Sequence, residues 1–403
     1  MYSKEHFTSI SQHKAKLWTK DFTIISAANF FLYLVFYLLL VTMTVYAVEA
    51  FHVSESKAGL VTGIFIIGTL IGRLFIGRLI TNIGNKTMLY SGLLVFIVTS
   101  LLYFVNLGIG FLLVTRFLHG LALGVASTAT GTIVAHIIPD TRKGEGISYY
   151  SMSITIATAI GPFIGIFMSQ HTTYQVIFTF CALLAVISFL IALFVRIPAT
   201  EKHERATTEK QSFHISNFIE PKAVPIAIII MILSLGYSSV LSFINFYAIE
   251  LDLVSTASIF FVVYAIAILL SRPFTGRLMD IRGENAVMYP AFILFALGLF
   301  MLSGATSASM FLLAGALIGL GFGNMQSTTQ AIAVKVTSPT RVGLATSTYY
   351  IALDAGLGFG PYVLGYVIPL TGYSKLYLVM GIIVCLTIAL YVALHSKKIA
   401  QFN

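Results

Sequence analysis

Three ionisable side chains stand inside long apolar stretches of this 403-residue sequence, where charge could do chemistry. Asp354 follows Val342 by 12 residues, and Tyr350 is one helical turn away on the same face. Arg116 and His119 are three residues apart, so a helix would place them on one side. A buried carboxyl group can exchange a proton, imidazole titrates near neutral pH, and guanidinium keeps its charge. We therefore predict that Asp354 carries a proton or binds substrate, with Arg116 as its electrostatic counterpart and His119 as a further candidate; the alternative for each is a fixed hydrogen-bonding role.

Polar and aromatic side chains recur at helical spacing within the same apolar stretches. Residues four apart share one face of a helix, so such pairs and triplets can line a cavity. The set comprises Asn29, Tyr33, Tyr37, Ser238, Asn245, Gln326, Gln330 and Tyr350. We expect these residues to line a cavity for a mixed polar and aromatic ligand. Polar contacts between neighbouring helices are the alternative.

Motifs of common enzymes do not occur in this sequence. It contains neither the phosphate-binding loop G-x-x-x-x-G-K-S/T nor the zinc motif HExxH. Its two cysteines, Cys181 and Cys385, both lie in apolar runs, which favours buried inert thiols over a disulfide or a metal site. We therefore expect no enzyme, no ATP-driven pump, no metal and no cofactor.

The elements that must position these residues are membrane-spanning helices. The chain is 58% hydrophobic and only 10% charged, with a mean hydropathy of +0.92, whereas soluble domains carry about 25% charged residues. A span needs ~20 apolar residues. The sequence predicts an all-α membrane protein with twelve spans at 22–47, 58–81, 87–105, 110–138, 145–170, 173–196, 223–248, 256–279, 286–307, 310–336, 342–369 and 373–395.

Basic residues decide how these spans are oriented. Nearly all the Lys and Arg residues outside the spans fall in one set of loops, which is the mark of the cytoplasmic side. The net charge of +9 therefore reflects topology and not nucleic-acid binding. We predict a multi-pass protein of the cell membrane with both termini cytoplasmic. A charged and polar segment at 197–222 divides an N-terminal six-helix bundle, 1–196, from a C-terminal one, 223–403.

The two halves carry matching segments 199 residues apart. RLFIGRLITNIG at 73–84 matches RPFTGRLMDIRG at 272–283, and Gly161-Pro162 matches Gly360-Pro361. Two pseudo-symmetric six-helix bundles of this kind are typical of transporters, which bind substrate near the bilayer midplane and rock one half against the other. We expect the partners to be a small-molecule substrate, protons and membrane lipid, and we expect a monomer.

These features resemble the major facilitator superfamily over essentially the whole chain. The loop after span 2, Gly77-Arg-Leu-Ile-Thr-Asn-Ile-Gly-Asn-Lys86, is similar to the family motif G-x-L-x-D-R-x-G-R-K, with Thr81 in place of the acid. Span 4 runs from Arg116 to Gly124 and resembles R-x-x-Q-G-x-x-x-G, with His119 in the Gln position. Span 5, from Ala157 to Gly165, is similar to G-x-x-x-G-P-x-x-G, a motif typical of the family's exporters that exchange substrate for protons.

The resemblance assigns gating roles to residues of both halves. The loop motif serves the family as a cytoplasmic latch, and its second copy keeps the acid as Asp280. The Gly-Pro pairs are expected to form bent, tightly packed contacts between the halves. The predicted gating residues are Gly77, Arg78, Gly84, Gly161, Pro162, Gly276, Arg277, Asp280, Gly360 and Pro361.

Residues and resemblance together imply proton-coupled efflux of a small amphipathic drug or metabolite by alternating access. A dedicated exporter of a polar or anionic metabolite, such as a metallophore or a sugar, stays open, and so does an importer. A membrane receptor or lipid-handling enzyme is the alternative from another class. It would need a large soluble domain or a catalytic cluster, which this sequence lacks.

Overall fold

Helices account for almost all of the computed structural model, which describes residues 16–53, 55–196 and 217–396. The first six helices are α1 Lys20–Phe51, α2 Glu55–Ile83, α3 Asn85–Leu102, α4 Ile109–Ile137, α5 Lys143–His171 and α6 Tyr174–Ala192. The next four are α7 Val224–Glu250, α8 Val254–Arg282, α9 Asn285–Ser303 and α10, which spans Ala308–Lys335. A final helical stretch covers Val342–Tyr391. Residues 197–216 of the predicted linker lie outside the described residues.

Two of these stretches are interrupted. The helix α10 contains a π-helical turn at Gly319–Gly323. The stretch Val342–Tyr391 breaks at Gly372, whose φ of 74° is outside the helical region and suits glycine. We call the arms on either side of this break α11, 342–371, and α12, 373–391.

The predicted twelve-span, all-α fold is confirmed. Eleven helical stretches of the described residues are long and apolar enough to cross a membrane, and the last of them comprises both α11 and α12. Many large apolar side chains point outward, among them Phe163, Leu270 and Leu386. Such a surface needs lipid as its solvent, because water would not tolerate so much exposed apolar area.

The internal repeat is visible in the helix bounds. The helices α2 and α8 begin and end 199 residues apart, and α5 and α11 begin at the same offset. Within the first half α1 packs on α5 and α2 on α4, and within the second half α7 packs on α11 and α8 on α10. The sequence repeat is therefore a repeat of helix packing.

The two halves meet through α2 with α11 and through α5 with α8. We call the basic side the end of the bundle where the α2–α3, α4–α5, α8–α9 and α10–α11 loops lie. Near that end Gly77 lies against Ser347, and Gly276 lies against Ser148. In the loops themselves, His136 Nε2 lies 3.2 Å from the carbonyl oxygen of Pro339. These contacts close the basic side.

Candidate functional site

A buried ion pair joins the two halves near the middle of the membrane. Arg73 of α2 and Asp354 of α11 approach to 2.8 Å between Nε and Oδ2. The arginine side chain is 2% exposed and the aspartate side chain 18%. Each residue lies ten or more positions from the basic-side end of its helix, which corresponds to roughly 15–18 Å at 1.5 Å per residue. Charges at this depth are costly in lipid, so each needs the other.

Aromatic side chains from both halves surround the Arg73 guanidinium. Its Nη2 donates to Tyr33 Oη at 3.4 Å, and its Cζ lies 4.3 Å from the centre of the Tyr350 ring. Tyr350 Oη in turn accepts a hydrogen bond from Gln330 Nε2 at 3.1 Å. Arg73 Nη1 is buried and has no hydrogen-bond partner among the described residues. The site therefore combines α1, α2, α10 and α11 around one cation and one anion.

The partner of Asp354 differs from the sequence prediction. Arg116 was expected to be its electrostatic counterpart, but Arg73 occupies that position. The expectation was wrong because one-dimensional spacing shows depth in the membrane but not which helices are neighbours. Arg116 lies toward the opposite side of the membrane, seven residues from the start of α4.

Arg116 and His119 instead form a cluster inside the first half. Arg116 donates from Nε to the carbonyl of Val61 at 3.1 Å and from Nη1 to Tyr103 Oη at 3.3 Å. Its guanidinium also lies over the Phe65 ring, at 4.3 Å. His119 Nδ1 lies 2.8 Å from the same Tyr103 hydroxyl. Both side chains are fully buried, so this network ties α2, α3 and α4 together.

Arg272 of α8 is the repeat counterpart of Arg73, but its surroundings differ. It donates to the carbonyl of Ser148 at 3.2 Å and to the carbonyl of Gly323, in the π-turn, at 3.3 Å. The position equivalent to Asp354 is Thr155, which has no charge. The membrane interior described here thus holds three buried arginines and one aspartate. The two halves are alike in shape and unlike in charge.

The predicted cavity residues fall into two groups. Tyr33, Tyr350 and Gln330 lie around the Arg73–Asp354 pair, as given above. Asn29 is instead fully buried within the first half, where it donates to Ser153 and accepts from Thr130. Asn245 is exposed near the end of α7.

The remaining predicted cavity residues make local contacts. Tyr37 packs against Gly161 of α5, and Ser238 donates to the carbonyl of Leu235 one turn earlier. The Gln326 carbonyl accepts a hydrogen bond from Tyr349 at 2.6 Å. These three residues therefore have satisfied or packed neighbours close to the crossing of the two halves.

The loop motif forms a latch in its second copy. Asp280 accepts hydrogen bonds from the backbone N–H groups of Gly144 and Glu145, each at 2.8 Å, and lies 3.3 Å from Lys335 Nζ. A carboxylate at a helix N-terminus is favoured by the free N–H groups and the helix dipole. The latch thus joins α8 to the start of α5, across the two halves.

Other motif residues have simpler roles or lie outside the description. Gly84 follows α2 with φ of 94°, which only glycine adopts readily. Arg277 is exposed. The side chains of Arg78 and Thr81 lie outside the described part of the chain.

The Gly-Pro pairs pack within the halves and not between them. A Cβ on Gly161 would meet Tyr37 and Leu38 of α1, and one on Gly360 would meet Ser238 of α7. The expectation that these pairs join the halves was therefore wrong. Pro162 and Pro361 lie inside α5 and α11, next to these close contacts.

Sequence reasoning missed the two most telling arginines. Arg73 and Arg272 occur at matched positions of the repeat and inside spans, a signal that could have marked them. Their proximity to Gly77 and Gly276 made them look like parts of a loop motif. In the part of the chain that the structure describes, no three His, Cys, Asp or Glu side chains group as metal ligands would.

Known relatives cover most of this chain. An uncharacterised MFS-type transporter of Methanocaldococcus jannaschii is 25% identical over 83% of this chain and 88% of its own length. The staphylopine export protein of Staphylococcus aureus is 20% identical over 82% and 85%. Multidrug resistance protein 2 of Bacillus subtilis is 24% identical over 59% and 61%. The chain is thus similar to exporters of different compounds.

The fold has the same kinship. The crystal structure of the human organic anion transporter MFSD10 superposes with a TM-score of 0.72 at 14% identity, covering 92% of this chain and 98% of the other. The family model described as Major Facilitator Superfamily matches residues 25–260 and 226–402. With both halves matched, this chain belongs to the Major Facilitator Superfamily of transporters.

Proposed function

We propose that this transporter exports a small amphipathic compound in exchange for protons, by alternating access. The observation that carries the proposal is the buried pair of Arg73 and Asp354, which links the two halves at mid-membrane depth. Protonation of Asp354 removes its charge and with it the attraction to Arg73. A proton and a substrate that both act on this pair would then bind in alternation, which is the requirement of exchange.

The contacts between the halves support a definite state. With the basic side cytoplasmic, the Asp280 latch and the Gly77 and Gly276 crossings close the cytoplasmic end. Release of these contacts would open the site to the cytoplasm. We further propose that the chain acts as a monomer in the cell membrane, with bundles 1–196 and 223–403 as its moving bodies, 197–222 as their linker, and both termini cytoplasmic.

The roles of the central residues follow from their chemistry. Asp354 holds the transported proton, and Arg73 stabilises the deprotonated carboxylate. The Tyr33 and Tyr350 rings offer aromatic surface to an amphipathic compound, and Gln330 orients the Tyr350 hydroxyl. Arg116 and His119 form a fixed support for α4 in this state.

Proteoliposomes provide the test. We expect an imposed pH gradient to accelerate transport of ethidium, used as an amphipathic probe, and the Asp354→Asn variant to lose that acceleration while exchange without a gradient persists. Asp354→Glu should retain part of the acceleration. Asp252→Asn, which changes an exposed carboxylate of a loop, is the matched control. Transport that ignores the gradient and survives Asp354→Asn would refute the coupling.

A second candidate is export of a polar or anionic metabolite. It is favoured by the excess of buried arginine, because Arg272 has backbone carbonyls and no carboxylate as its partners in the described chain. A planar guanidinium binds a carboxylate through two parallel hydrogen bonds, which an ammonium cannot reproduce. If transport of carboxyfluorescein exceeds that of ethidium and is lost in Arg272→Lys, this candidate replaces the first. The direction of transport is read from the same vesicles.

A further inference from the structure

A groove opens between α5 and α8 on the basic side, away from the central site. It has a volume of about 570 Å³. Its walls include Glu145, Tyr149, Phe274, Arg277, Ile281 and Arg282. Phe274 is 76% exposed and Ile281 67%, which makes the α8 wall strongly apolar.

The repeat relates this groove to an equivalent place between α11 and α2. At the offset of 199 residues, Tyr149 corresponds to Thr348 and Phe274 corresponds to Phe75. There the chain itself is the occupant. The Phe218 ring lies 6.2 Å from the Phe75 ring, and the Glu220 N–H donates to Thr348 Oγ1 at 2.9 Å.

The filled groove shows what chemistry this shape accepts. Its occupant brings an aromatic side chain, Phe218, and a carboxylate, Glu220, which forms an ion pair with Arg341. Phe218 and Glu220 are both buried there. The occupant is therefore an apolar group followed by an anion.

The groove between α5 and α8 offers matching chemistry with more positive charge. Arg277 and Arg282 are exposed and have no ion-pair partner among the described residues. The one carboxylate in its wall, Glu145, is already paired with Arg142 at 2.8 Å. An anion that enters therefore meets two free guanidinium groups and a neutralised acid.

Aromatic residues place the groove at the level of lipid headgroups. Trp18, the one tryptophan of the sequence, is 61% exposed and its ring lies 4.9 Å from the ring of Tyr149. Tryptophan and tyrosine collect at the membrane–water interface. The groove thus faces the bilayer at the depth where acyl chains end and phosphates begin.

We propose that this groove is a binding site for an anionic phospholipid. Its phosphate binds Arg277 and Arg282, and an acyl chain lies along Phe274 and Ile281. A bound lipid would fill the crossing of α5 and α8 as the Phe218–Glu220 segment fills that of α2 and α11. It would thereby support the Asp280 latch, which joins the same two helices.

Native mass spectrometry of the full chain released from nanodiscs tests the site. The nanodiscs contain phosphatidylglycerol and phosphatidylcholine in equal amounts, and the measured quantity is the retained ratio of the two lipids. We expect the wild-type chain to retain phosphatidylglycerol preferentially, and Arg277→Gln with Arg282→Gln to lower that ratio about tenfold, since each basic residue contributes about 1 kcal/mol toward an anionic surface. Arg277→Lys with Arg282→Lys should keep most of it.

The matched control removes two charges from the same side outside the groove, by Arg196→Gln with Lys222→Gln. An unchanged ratio in the groove variant, or an equal loss in the control, would overturn the proposal. Glycerol 3-phosphate added at millimolar concentration should not displace the lipid. If it does, the site recognises phosphate alone and the lipid assignment fails. The Lys variant keeps the test valid if the Gln variant does not fold.

Discussion

At the scale of single residues, the Arg73–Asp354 pair is decisive because neither charge has another strong partner. Arg73 is nearly fully buried, and two of its nitrogens have no hydrogen-bond partner in the described chain. Removing one member of a buried pair costs about 3–5 kcal/mol in soluble proteins, because the other charge stays buried and alone. The pair is therefore a point of stored sensitivity at the crossing of the two halves.

A double-mutant cycle measures this coupling. We expect Asp354→Asn and Arg73→Gln each to lower the thermal unfolding midpoint of the detergent-solubilised protein. The two substitutions together should give a higher midpoint than either alone, because no unpaired charge remains. Intrinsic tyrosine and tryptophan fluorescence is the readout.

Arg116→Gln provides the control for that cycle. It removes an equally buried arginine that has no contact with Asp354. If Arg116→Gln restored the stability of Asp354→Asn as well as Arg73→Gln does, the assigned pairing would be incorrect.

At the scale of helices, the closed basic side depends on close approach of backbones. A Cβ at Gly77 would lie 2.9 Å from the Cβ of Ser347, closer than real side chains come. Gly63, in the same helix, has open space around it. Small residues of this kind let membrane helices pack tightly, and larger ones separate them.

Gly77→Val should therefore open the basic side. With Cys385→Ser and Thr346→Cys, the new thiol at the buried position 346 reports the opening. We expect a membrane-impermeant maleimide applied from the basic side to label it several-fold faster in Gly77→Val, and unchanged in the control Gly63→Val. Equal labelling in both variants would contradict the role of Gly77.

The Asp280 latch is a second feature of this scale. Asp280 accepts two backbone N–H groups at the start of α5, and loss of a capping carboxylate costs about 0.5–2 kcal/mol. We expect Asp280→Asn to lower the unfolding midpoint and to raise labelling at position 346. Asp140→Asn is the control, because Asp140 is 96% exposed and its pair with Lys143 contributes little. Similar effects of both substitutions would argue against a latch.

At the scale of the whole molecule, an even number of spans puts both termini on one side, and the basic loops put that side in the cytoplasm. We expect green fluorescent protein to fluoresce when fused to either terminus in a bacterial host. Alkaline phosphatase inserted at the exposed Asn106, between α3 and α4, should be active outside. Activity at Asn285 and none at Asn106 would reverse the orientation.

The whole molecule also explains how a symmetric fold performs an asymmetric task. The helix bounds of the halves repeat at 199 residues, but Asp354 is matched by Thr155. Likewise the groove between α2 and α11 is filled by the chain, and its counterpart between α5 and α8 is open. The repeat supplies the scaffold, and single substitutions give one half the acid and the other half the lipid groove.

The sequence by itself determined the class of fold, because burial in lipid is a composition effect and the length of a span is set by the bilayer. It also marked Asp354, since a lone carboxylate in an apolar helix is visible in one dimension. Only the tertiary structure decided that Arg73, and not Arg116, faces that carboxylate, and that the Gly-Pro pairs pack within the halves. Both depend on which helices become neighbours, and apolar helices of equal length have no preference for a partner until their side chains pack.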